Sequence, residues 1–66
     1  MSERVGIVGI GLMGSAISGN LLEAGYEVQG FDLDGKRVDE FVERGGIPSD
    51  SPSSAAKDVN WLITSL

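Results

Sequence analysis

The sequence predicts an α/β fold in which a parallel sheet is wound with helices on both faces. Three observations carry this. Val5-Gly6-Ile7-Val8-Gly9-Ile10 is a short run rich in β-branched residues, the composition of a strand buried on both sides. Beyond Leu12 the apolar period changes to a spacing of four, at Met13, Ile17 and Leu21, which is a helical period. Strand-like and helix-like segments then continue to alternate, and such alternation implies parallel strands joined by right-handed crossovers.

The elements follow in order. The first helix is expected from Leu12 to Ala24, with small Ala16 and Ala24 beside the apolar positions. Gly25 stands where a left-handed residue ends a helix. Glu27 to Asp32 is a second strand, in which Gly30 implies a close backbone neighbour. Asp34 is the expected N-cap of a second helix with Val38, Phe41 and Val42 on its inner face, ended by Gly45-Gly46. Ile47 begins a very short third strand. Ser51-Pro52 pairs a capping serine with a proline at the first helical position, so a short helix runs from Pro52 to about Lys57. Asn60 to Leu66 reads as a last strand, expected beside the first and away from the second.

Size and composition narrow the function. At 66 residues the chain is shorter than the usual domain of about 100–200 residues. It has no cysteine and no histidine, which removes disulfides, thiolate metal sites and the commonest general base. It is therefore expected to be a fragment of a larger protein. A net charge of −5 argues against a nucleic-acid partner. No apolar run approaches the roughly 20 residues that cross a bilayer, and no signal peptide is evident at the N-terminus. The cytoplasm is the expected compartment.

Gly9-Ile10-Gly11-Leu12-Met13-Gly14 matches G-x-G-x-x-G at a strand-to-helix junction, the context that gives this pattern meaning. Gly9 allows the tight turn, Gly11 lets a diphosphate approach the backbone, and Gly14 lets the helix lie close to the strand. The anion would be held by amide hydrogens at the helix N-terminus, without lysine or arginine. A ligand-free glycine turn is the plain alternative. Asp32 ends the second strand about 20 residues on, where a carboxylate accepts hydrogen bonds from the adenosine ribose and repels a 2′-phosphate. The expected cofactor is thus NAD, with NADP disfavoured, on a partial Rossmann-type doubly wound sheet comprising its first βαβαβ half. Trp61 is expected in a core or domain interface, Met13 beneath the loop, and Asp39, Glu40 and Glu43 on a solvated face. The serines at 49, 51, 53 and 54 lack an activating histidine and are not nucleophiles.

Val8 to Gly14, then Ala16, Asn20-Leu21, Gly25-Tyr26 and Val28, resembles the opening of the β-hydroxyacid dehydrogenases, whose signature runs G-x-G-x-M-G-x-x-x-A-x-N-L followed by G-[HY]-x-V. The family includes 3-hydroxyisobutyrate dehydrogenase, tartronate semialdehyde reductase and the related 6-phosphogluconate dehydrogenases. Gly45-Gly46, Ser51-Pro52 and Asp58 to Thr64 follow the same course. The resemblance implies that residues 9–14 bind diphosphate and that Asp32 binds ribose. Leu33 stands where many NADP-linked members carry arginine. Leu66 matches the first residue of a Leu-Pro pair near the cofactor. It also implies a parent enzyme transferring hydride between NAD and a small 3-hydroxy acid, with its catalytic lysine, substrate segment and dimer-forming helical domain outside this chain. The chain alone is then expected to be inactive. A non-catalytic dinucleotide-binding or sensing module is the other class consistent with the same residues.

Overall fold

The computed structural model describes residues 3–64 of the chain. Its elements are β1 (Arg4–Val8), α1 (Gly11–Glu23), β2 (Glu27–Phe31), α2 (Gly35–Glu43), β3 (Ile47–Pro48), α3 (Pro52–Ala55) and β4 (Trp61–Thr64). The four strands form one sheet in the order β3-β2-β1-β4, and every pairing is parallel. β4 lies beside β1 on the side away from β2, as the sequence predicts.

Strand alternation assigns the two faces. Val5 and Ile7 of β1 and Val28 of β2 join Ile10 and Phe41 in the buried core, with Leu21, Leu22 and Val38 of α1 and α2 packed against it. The opposite face carries α3. A side chain at Gly6 would overlap the Ala55 carbonyl, so the bare glycine is what lets α3 settle on β1. Helices on both faces make the sheet doubly wound.

The helix ends obey their local chemistry. In α1, Tyr26 N–H donates to Leu21 O (3.0 Å) and Gly25 N–H to Leu22 O (3.1 Å), the pairing of a Schellman stop. α2 ends in the same way, through Gly46 N–H to Phe41 O (3.0 Å) and Gly45 N–H to Val42 O (3.0 Å). Asp34 caps α2 by accepting from Lys36 N–H, and Ser51 caps α3 by accepting from Ser54 N–H.

Four expectations about packing need correction. Met13 is 71% exposed, and the buried positions of α1 are Gly14 and Ser18. A side chain at Gly14 would stand 2.7 Å from Gly9 O. Gly14 must therefore face the turn, and each helical residue is rotated about 100° from the last, so Met13 is carried outward. Val42 is 43% exposed, because Phe41 takes the inner position of α2. The space beside Gly30 holds the Phe41 ring and Ile10 Cδ1, so its close neighbours are side chains rather than backbone. Trp61 is 63% exposed on the edge strand, its indole N–H donating to Glu3 Oε2 (3.1 Å), and is not a core residue here.

Candidate cofactor cleft at the carboxyl edge of the sheet

Parallel strands deliver their ends to one edge of the sheet, and the glycine turn, Asp32 and the start of α3 meet there. Gly9 has φ +87° and Gly11 φ +42°, so the turn is built from two left-handed residues. Gly9 N–H donates to Phe31 O (2.9 Å), which extends the β1–β2 ladder one residue into the turn. A side chain added at Gly11 would meet nothing within 4 Å. Its open side gives onto a cleft of about 590 Å³. The cleft is lined by Val8, Gly9 and Gly11 from the end of β1 and the turn, by Phe31, Asp32 and Leu33 from the end of β2, and by Pro52 at the start of α3.

Asp32 does more than end a strand. Its Oδ2 accepts from Ile10 N–H (2.8 Å) and Gly11 N–H (3.2 Å), and its Oδ1 accepts from Asp34 N–H (2.9 Å). The Asp34 amide is the main reason its carboxyl is held below the ordinary 3.8. Partial burial opposes this, and the Gly11 and Ile10 amides and the Arg37 charge reinforce it. Asp32 is therefore ionised at neutral pH. A carboxylate offers about four acceptor positions, and three donors use three of them, which leaves one on Oδ1.

Asp32 also divides the amides of the turn. An α-helix leaves its first four N–H groups without partners in its own ladder. In α1 these belong to Ile10, Gly11, Leu12 and Met13, and the N-cap Ile10 supplies no side-chain cap. Asp32 takes the first two. The amides of Leu12 and Met13 have no partner among the described residues, so fewer donors of the turn are open than the sequence alone implies. The side chains go separate ways: Ile10 is 1% exposed in the core, whereas Leu12 is 81% and Leu33 93% exposed. Leu66 lies outside the described residues. A helix start that Asp32 caps only in part, an open Gly11 and an ionised Asp32 in one cleft fit a dinucleotide.

Comparison with known proteins matches residues 4–66 to the NAD binding domain of 6-phosphogluconate dehydrogenase. The chain belongs to this NAD-binding domain family. Among curated relatives, 3-sulfolactaldehyde reductase of Escherichia coli (strain K12) is 37% identical over 62 residues, covering 94% of this chain and 21% of the relative. A Mycobacterium tuberculosis 3-hydroxyisobutyrate dehydrogenase solved with L-serine superimposes with TM-score 0.93 at 30% identity, covering 100% of this chain and 23% of that one. An imine reductase from Pseudomonas sp. gives TM-score 0.90 at 30% identity, covering 97% and 22%. The chain thus spans about a fifth of the length of the relatives it matches. The NAD-binding domain assigned from the turn and from the family resemblance is borne out, and so is the partial Rossmann fold.

Two features of the cleft escape the sequence reading. Pro52 is legible as a helix start, but its place on the cleft wall follows only once the parallel order brings α3 to the carboxyl edge. Gln29 is buried within β2, and its Nε2 donates to the Ser54 and Ala55 carbonyls of α3 and to the Lys57 carbonyl just past it. A polar side chain inside a strand buried on both faces was the available signal. Among the described residues no group of acidic, histidine or cysteine side chains could hold a metal ion, and no helix is long and apolar enough to cross a membrane.

Proposed function

We propose that this chain is the cofactor-binding part of an oxidoreductase that moves hydride between NAD and a small 3-hydroxy acid. In this reading residues 9–14 cradle the diphosphate, with the Leu12 and Met13 amides as its donors. Asp32 and Leu33 form the adenosine-ribose corner, and Leu66 is assigned to the cofactor through its match to the family's Leu-Pro pair. When bound, the nicotinamide gives or accepts hydride; the residues here bind and orient it. The substrate, the acid/base lysine and the contacts of a homo-oligomer are assigned to other segments of a protein about five times longer, as the one-fifth coverage of the relatives suggests. Residues 1–66 are then the N-terminal part of the cofactor domain and have no turnover by themselves. The cysteine-free sequence fits the reducing cytoplasm, which this reading assigns as the compartment.

The observation that carries the proposal is the carboxylate of Asp32, tied to the turn amides with one acceptor position left. It can take a ribose hydroxyl and repels a 2′-phosphate, and exposed Leu33 beside it offers no compensating cation. The test is calorimetric titration of the full-length protein and its Asp32→Asn variant with NAD and NADP. NAD binding is expected to weaken about tenfold, the scale of a lost charge-assisted hydrogen bond, while NADP gains. If both affinities stay unchanged, the ribose assignment fails.

A further inference from the structure

Gln29 sits in the middle of β2 and is 9% exposed. Its Nε2 donates to the carbonyl oxygens of Ala55 (3.0 Å) and Ser54 (3.2 Å) in the last turn of α3 and of Lys57 (2.8 Å) just past it. An amide nitrogen carries two hydrogens, so one is shared between acceptors. Only a donor suits this position: an apolar group would leave buried carbonyls unmet, and a carboxylate would face them with like charge. Gln29 is in register with Gly6 on β1, the glycine whose missing side chain makes room for the Ala55 carbonyl. Gly6 gives α3 its space and Gln29 gives it its grip.

The other end of α3 is Pro52, which lines the cleft together with Asp32 and Leu33. A helix of four residues has little ladder of its own, so outside anchors decide where it stands. We infer that Gln29 is a positioning residue for the cofactor: by fixing the C-terminal end of α3 it fixes Pro52, and so sets the cleft wall. This rests on the cofactor reading above.

The test uses the full-length protein with Gln29→Glu and Gln29→Leu, following NADH binding by fluorescence beside the thermal unfolding of each variant. At pH 8 the ionised Glu variant is repelled by the carbonyls, and its Kd for NADH rises about tenfold. Burial raises a carboxyl pKa, so toward pH 5 it takes up a proton, donates to one carbonyl, and binds to within about threefold of wild type. The Leu variant stays weak at both pH values. The charged groups around position 29 are Lys57 and Asp58 just past α3 and the Arg4–Glu27 ion pair on the same face of β1 and β2. Wild type has them too, so the ratio of variant to wild type isolates position 29.

Folded variants that melt earlier but bind NADH as wild type does would overturn the inference. If neither variant folds, hydrogen exchange on the wild type decides. NADH is expected to slow exchange at the amides of Ala55, Ala56 and Lys57 together with those of the turn; protection of the turn alone overturns the inference and leaves the cofactor reading standing. A wild type that binds no NADH sinks that reading, and this inference with it.

Discussion

At the scale of single residues, Gly11 and Asp32 separate what the turn needs for folding from what it needs for binding. Gly11 has φ +42° and open space where a side chain would point. Gly11→Ala is therefore expected to fold with a loss of about 1–2 kcal/mol, the cost of an L-residue in the left-handed region. Gly11→Val places a branched side chain where the diphosphate lies and should abolish NADH binding; tight binding by a folded Val variant, measured by fluorescence titration, refutes that geometry. Asp32 adds a pH signature. Its carboxyl is held below 3.8, first by the Asp34 amide, so its contribution to stability is present above the unfolded value and is lost as pH falls through the lower folded one. Urea unfolding of wild type and Asp32→Asn should show a gap at pH 7 that narrows by pH 3. A gap that widens in acid contradicts the hydrogen bonds to Ile10 and Gly11.

Elements were legible where a backbone rule acts locally and less so where packing decides. Asp34, Ser51, Gly25 and the Gly45-Gly46 pair were readable as caps and stops because each acts on its own neighbours, and all four are found in those roles. The phase of α1 was not readable. Leu12 and Met13 are apolar yet exposed, so an apolar-period argument turns the helix toward Met13, while the Gly14–Gly9 contact turns it elsewhere. Gln29 was missed for the same reason: its partners are more than twenty residues away in sequence. For α3, Ser51→Ala removes the oxygen that accepts from Ser54 N–H (3.1 Å). The expected loss is about 1 kcal/mol in urea unfolding. No change would mean that Gln29 and buried Ala55 hold the helix without its cap.

For the whole molecule, the parallel sheet was readable from the alternation of periods and the place of the last strand beside the first from the Rossmann arrangement, because right-handed crossovers leave few arrangements open. Placing the last strand outside the first also marks it as the uncovered edge, and β4 is that edge, with Trp61 63% and Leu62 48% exposed. Unpaired edge backbone beside apolar side chains promotes association. The 66-residue chain expressed alone is expected to self-associate in sedimentation runs, and Leu62→Lys to shift it toward monomer. A wild-type chain that sediments as monomer at high concentration would show that this edge is not sticky.

The Phe41 ring has a consequence of its own. Side chains added at Gly30 or at Gly46 would both press into that one ring, so these three positions, drawn from β2, α2 and the stretch before β3, divide a single fixed volume. Among homologous sequences a bulkier residue at 30 or 46 should therefore travel with a smaller one at 41, a covariation with nothing to do with the cofactor that marks instead how tightly the second crossover is fitted to its sheet.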